Sequence, residues 1–91
     1  MNNIPSFRCY GRHSSLNYGI HTIVLTDAQG NEFYYSYETL VAFRTRTTGL
    51  VVHKNIWGPT TGGHLDLIDS STPRVDADTF KRALANALKV I

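Results

Sequence analysis

The sequence predicts an α+β fold, in which an antiparallel β-meander of four to five strands is packed by one C-terminal helix. Two observations predict it. Short runs of β-branched and aromatic residues follow one another closely, and near the C-terminus the apolar residues change to a helical spacing. A chain of 91 residues is long enough for one domain and too short for two. We therefore expect residues 1–91 to form a single domain.

The predicted meander covers residues 20–55, and residues 1–19 before it are predicted to be an irregular arm. Within this arm, residues 7–10 have the composition of a short edge strand. The connections inside the meander are too short for the crossovers that parallel strands need, so neighbouring strands must be antiparallel. The strands are expected at residues 20–26, 32–37, 40–46 and 50–55.

Side-chain alternation predicts which strand residues face the core, because successive residues of a strand point to opposite faces. In the second strand of the meander, Phe33, Tyr35 and Tyr37 are predicted to share one buried face. In the third strand, Val41 and Phe43 are predicted to lie on one face together.

Residues 76–91 are predicted to form the C-terminal helix, running from about Ala77 to Lys89. Apolar residues such as Phe80 and Leu84 recur there at the spacing of one helix face. Asp76 precedes this stripe and is a suitable N-cap. The apolar stripe must therefore cover one face of the sheet.

Between the meander and this helix, residues 56–75 are predicted to be a Thr/Gly/His loop region, which holds the chain's one tryptophan. Aromatic rings and hydroxyl groups on a glycine-rich backbone are suited to recognition of a protein partner. An alternative interpretation stays open, in which this region is a tight loop that only reverses the direction of the chain. Partner binding is predicted for Trp57, Thr60, Thr61 and His64.

The spacing from Gly58 to Gly63 resembles part of a phosphate-binding loop, but His64 and Leu65 stand where that loop needs Lys and Ser or Thr. A nucleotide-binding P-loop is therefore excluded. A weaker alternative stays open, in which backbone amides near Gly62 bind one anion.

No cofactor, metal ion or catalytic residue is predicted, and the chain is not expected to be an enzyme. The four histidines lack metal-ligand spacing, and the single cysteine excludes both a disulfide framework and a cysteine-based zinc module. A metal site assembled across strands stays open as an alternative, with ligands drawn from His21, His53, His64, Asp66 and Asp69.

Nucleic-acid binding is the alternative function, because basic residues alternate with tyrosines along the meander. The residues predicted for it are Arg44, Arg46 and Lys54. The formal net charge is only +2, which is far from the strong excess of a dedicated nucleic-acid-binding domain. A protein partner is therefore the first expectation, with a homodimer left open.

Two motifs resemble a family of small uncharacterised proteins encoded by phages, plasmids and other mobile elements. The first is the strand Y-x-T-L-V-A at residues 37–42, and the second is W-x-x-T-T-G-x-H-L at residues 57–65. The resemblance spans residues 18–84 and implies a mobile-element origin. It carries no known activity, cofactor or catalytic residue.

Small proteins of this kind often inhibit a host defence complex, as anti-CRISPR proteins do. The resemblance therefore implies a non-enzymatic accessory protein that binds another protein. It also implies the cytoplasm of a bacterial host cell. No apolar run approaches the ~20 residues of a membrane span, so no membrane association is expected.

Overall fold

The computed structural model describes residues 6–10 and 22–89, apart from the side chains of Cys9 and Lys89. These residues form a six-stranded sheet in which the strands are ordered as in the sequence. The predicted α+β class is confirmed. The strands are β1 (Ser6–Cys9), β2 (Thr22–Thr26), β3 (Glu32–Ser36), β4 (Thr39–Thr45), β5 (Gly49–His53) and β6 (Arg74–Val75), and the helices are α1 (Pro59–Ile68) and α2 (Ala77–Lys89).

The region predicted as a loop over residues 56–75 contains α1 and β6, and this part of the prediction is wrong. Strands β1 to β5 are antiparallel neighbours, whereas β6 pairs with β5 in parallel. A parallel neighbour requires a long crossover, and α1 supplies it. The chain thus ends its meander at β5 and continues as a β–α–β unit.

A β-bulge in β4 changes which residues face the core. Tyr34 pairs with Ala42 and Tyr35 pairs with Leu40, so Val41 is an extra residue without a direct partner on β3. Val41 and Ala42 are both fully buried and belong to one core cluster, while Phe43 belongs to another. The expectation that Val41 and Phe43 share a face is therefore wrong, because the bulge interrupts the alternation.

Each of the two helices packs against one face of the sheet. We call the face under α1 the first face and the face under α2 the second face. The register aligns Val24, Tyr34, Ala42 and Val52 in one row, which packs against Leu65 of α1. The second face contains a core of Phe43, Phe80 and Ala87, flanked by Phe33, Leu40, Val51, Val75, Ala83 and Leu84.

The tyrosines of the second predicted strand are not placed as expected. Tyr34 is the buried one and lies on the first face, whereas Tyr37 is 47% exposed. Strand β3 ends at Ser36, and Tyr37 adopts a positive φ of 58° in the short turn before β4. The turn requires this backbone conformation, so the strand alternation no longer applies to Tyr37.

Helix α2 begins and ends where the apolar spacing predicts, at Ala77 and Lys89. The backbone N–H of Thr79 donates to Asp76 Oδ1 over 2.8 Å, so Asp76 is the predicted N-cap. This hydrogen bond lowers the pKa of Asp76. Among the described residues, neither helix is long and apolar enough to cross a membrane.

Candidate functional site

The chain enters α1 through a turn held by Asn55, and we call residues 55–58 the Asn55 loop. Asn55 Oδ1 accepts hydrogen bonds from the backbone N–H groups of Trp57 (3.0 Å) and Gly58 (3.2 Å). Its Nδ2 donates to the Gly58 carbonyl oxygen over 2.8 Å. Gly58 has a φ of 130°, which favours glycine, and Pro59 then starts the helix with a suitable fixed φ.

The Asn55 loop holds two apolar side chains at the surface. Ile56 is 67% exposed and Trp57 is 39% exposed. The Trp57 ring rests on the buried ring of His53, with centroids 4.7 Å apart. We call the exposed parts of these two side chains the Ile56–Trp57 surface.

His53 connects this surface to the core of the second face. Its ring contacts Phe80 of α2 on another side, with centroids 4.9 Å apart. His53 Nδ1 donates to the Lys54 carbonyl oxygen over 2.7 Å, because a carbonyl can only accept. Trp57 therefore packs on the His53 ring, which is itself held in place by its hydrogen bond and by its contact with Phe80.

The polar residues of α1 that were predicted to bind a partner lie on both sides of the helix. Thr60 is exposed, whereas Thr61 and His64 are buried against the sheet. Ser36 Oγ lies 2.6 Å from His64 Nδ1 and 3.0 Å from Thr61 Oγ1. Thr61 and His64 are three residues apart, so one face of the helix brings both to Ser36. These two side chains therefore hold α1 on the sheet and do not belong to an exposed surface.

Gly62 allows the close approach of α1 to the Asn55 loop. A Cβ atom at this position would lie 2.8 Å from Asn55 Nδ2, which is too close for an undisturbed contact. Gly63, one residue further along, has no atom within 4 Å of such a Cβ. The two glycines are therefore a matched pair for testing the contact.

We expect Gly63→Ala to raise the free energy of unfolding by up to about 1 kcal/mol, because alanine is the better helix former. Gly62→Ala should not give this gain, since Asn55 must move and lose its hydrogen bonds. Urea denaturation of both variants, alone and with Asn55→Ala, measures the coupling. Equal gains from the two glycine substitutions in the native background would contradict the contact.

The basic residues predicted for nucleic-acid binding do not form one patch. Arg44 Nε lies 3.3 Å from Glu32 Oε1, and Arg8 approaches the same carboxylate at 3.8 Å. Arg46 lies in the turn after β4, near Arg44. Lys54 follows β5 at the opposite end of the hairpin, about 13 Å along the strands from Arg44 at ~3.3 Å per residue.

The sheet separates two of the histidines considered for a metal site. His53 lies on the second face and His64 is on α1 over the first face, so they cannot share an ion. Asp66 forms an ion pair with Arg74 at 2.7 Å, and the hydroxyl of Thr72 lowers the pKa of Asp69. In residues 6–10 and 22–89 no group of three or more His, Cys, Asp or Glu side chains is placed to hold a metal ion. His21 lies outside the described residues.

A model of a family of unknown function, DUF8033, matches residues 7–82. The chain belongs to this family. The match includes both motifs and extends from β1 into α2. No curated protein and no solved structure matches the chain.

Two residues that organise the site of this DUF8033 protein were not singled out from the sequence. Asn55 had a local signal, because an asparagine three residues before a glycine is suited to a turn closed by its side chain. Ser36 had none, since its partners Thr61 and His64 are at least 25 residues away in the chain.

Proposed function

We propose that this DUF8033 protein is a non-enzymatic binding protein that contacts another protein through the Ile56–Trp57 surface. The observation that supports it most directly is the exposure of Ile56 and Trp57 on a loop that Asn55 closes. Exposed tryptophan with apolar neighbours is typical of the residues that dominate binding energy at interfaces. A rigid loop also loses little conformational entropy on binding.

The packing of the Asn55 loop assigns no structural role to the Ile56 side chain. Asn55, Gly58 and Gly62 are each explained by the turn and by the approach of α1. Thr61 and His64 are explained by their hydrogen bonds to Ser36. Ile56 is not needed for packing, because two thirds of its surface is exposed. This supports a role for it outside the fold.

The non-enzymatic part of the proposal rests on the burial of the Ser36–His64 pair. A serine hydrogen-bonded to a histidine resembles a nucleophile with its base. Both residues, however, are only 2% exposed, so a substrate has no access to the serine oxygen without movement of α1. The hydrogen bond between Ser36 and His64 attaches α1 to β3, and this structural role is enough to explain the pair.

The biological setting in this proposal comes from the resemblance to proteins of phages, plasmids and other mobile elements. We propose an accessory protein of such an element that acts in the bacterial cytoplasm and binds a host defence complex, as an anti-CRISPR protein would. A net charge of +2 argues against mimicry of DNA, which would require an acidic surface. Binding through the apolar Ile56–Trp57 surface does not require an acidic protein and is therefore compatible with this net charge.

Affinity purification from the organism that encodes the protein tests the proposal, with and without nuclease treatment. We expect a stoichiometric protein partner that survives nuclease and is lost, at least about tenfold, with Ile56→Glu, since a buried carboxylate is costly. Leu88→Glu is the matched control, because Leu88 is a similarly exposed leucine on α2. It should retain the partner.

Two results would count against the proposal. Recovery that depends on intact DNA or RNA, and is reduced by Arg44→Ala with Arg46→Ala, would favour the nucleic-acid alternative. Equal capture by Ile56→Glu and the unsubstituted protein would show that the partner contacts another surface.

A further inference from the structure

The second face of the sheet is covered at one end and open at the other. The register aligns one apolar row across the strands, from Phe7 of β1 through Leu25 and Phe33 to Phe43 and Val51. Helix α2 covers this row at Phe43, which contacts Phe80 at 5.2 Å between ring centroids. Exposure then rises from zero at Phe43 to 37% at Leu25 and 73% at Phe7.

The row ends at β1, which forms one edge of the sheet within residues 6–10 and 22–89. The N–H of Tyr10 donates to the Thr22 carbonyl oxygen over 2.9 Å, in register with the Cys9–Ile23 pair. Hydrogen-bonded and non-hydrogen-bonded pairs alternate along an antiparallel ladder. Arg8 therefore also turns its backbone groups toward β2, and the backbone N–H and C=O of Phe7 point to the open edge.

We propose that two copies of the protein associate by antiparallel pairing of their β1 strands. The two-fold axis lies at Phe7, so that Phe7 of one copy is directly opposite Phe7 of the other. Each Phe7 then exchanges both backbone hydrogen bonds with Phe7 of the second copy. The two apolar rows join into one, with the exposed Phe7 and Leu25 side chains of both copies at its centre. An antiparallel edge strand is self-complementary in this way, which identifies a second copy as the partner.

The positive charge of Arg8 favours this register over the register that is shifted by one residue. With Phe7 on the axis, Arg8 lies opposite Ser6 of the second copy, and each Arg8 keeps its own Glu32 at 3.8 Å. With Arg8 on the axis, the two Arg8 side chains lie opposite each other, and like charges directly opposite are destabilising. That register also separates the Phe7 rings.

This dimer is independent of the Ile56–Trp57 surface. Trp57 contacts His53 of β5, whereas the dimer forms at the opposite side of the sheet, at β1. Both Ile56–Trp57 surfaces stay free, so the dimer presents two of them. Association should therefore persist in the Ile56→Glu variant.

Sedimentation velocity over concentrations from about 1 μM to about 1 mM measures the association. We expect a monomer–dimer equilibrium that Phe7→Lys weakens at least about tenfold, because the substitution places two cations on the axis. Leu88→Lys is the control and should leave the equilibrium unchanged. A protein that stays monomeric throughout, or a dimer that Phe7→Lys does not affect, would overturn the proposal.

Oxidative cross-linking in a Cys9→Ser background identifies the register. Phe7→Cys places two cysteines in a hydrogen-bonded antiparallel pair with Cα atoms about 5.5 Å apart, a distance suited to a disulfide. We expect a cross-linked dimer from Phe7→Cys and little from Arg8→Cys. Predominant cross-linking through Arg8→Cys, or none through Phe7→Cys, would show that the axis does not pass through Phe7.

Discussion

Replacement of Phe43 by alanine is expected to lower the free energy of unfolding by about 3–5 kcal/mol. The Phe43 side chain is fully buried and forms the centre of the core between the sheet and α2. Its removal leaves a cavity beside Phe80, which loses a ring contact at 5.2 Å. Urea or thermal denaturation measures the change.

Phe7→Ala is the matched control, because it removes the same ring from the exposed end of the same row. At a concentration low enough to keep the protein monomeric, it should change the free energy of unfolding by less than about 0.5 kcal/mol. A loss of under about 1 kcal/mol for Phe43→Ala would show that α2 does not pack on this face.

The second large effect is expected from His64→Ala, which should cost about 2 kcal/mol or more. The substitution removes a ring that is 2% exposed and a hydrogen bond to Ser36, and a buried bond alone is worth ~1 kcal/mol. In a domain of this size the melting temperature should fall by about 8 °C or more. Differential scanning fluorimetry or circular dichroism detects such a shift.

Thr60→Ala serves as the control on the same helix, because Thr60 is exposed while Thr61 and His64 face Ser36. It should leave the melting temperature within about 2 °C, as surface substitutions usually do. Ser36→Ala and His64→Ala should be non-additive when combined, since they remove one shared hydrogen bond. An unchanged melting temperature for His64→Ala would mean that this side chain faces outward, as a role in partner binding would require.

Local patterns were sufficient to predict most of the sheet and all of α2. The strands are short β-branched and aromatic runs separated by turn residues, and their antiparallel order follows from connections too short for crossovers. Helix α2 has an apolar stripe at helical spacing and an aspartate at its N-cap, so both its existence and its bounds were predicted.

The identity of the core residues within the sheet depended on pairing between strands. The bulge at Val41 moves one residue out of alternation, and the turn at Tyr37 ends β3 one residue earlier than its composition suggests. Neither irregularity has a signal within its own strand. Both arise from the register between β3 and β4, which only the folded sheet establishes.

The fold class and α2 could be predicted from local sequence patterns, and residues 56–75 were predicted as the region of a binding site. The formation of α1 within this region depends on tertiary contacts. Its sequence, PTTGGHLDLI, has two threonines and two glycines, which are poor helix formers, and its buried face includes the polar residues Thr61 and His64. Contacts with Ser36 and the first-face core stabilise the helix, because short helices depend on packing more than on propensity. The same contacts bury the polar residues and leave Ile56 and Trp57 at the surface.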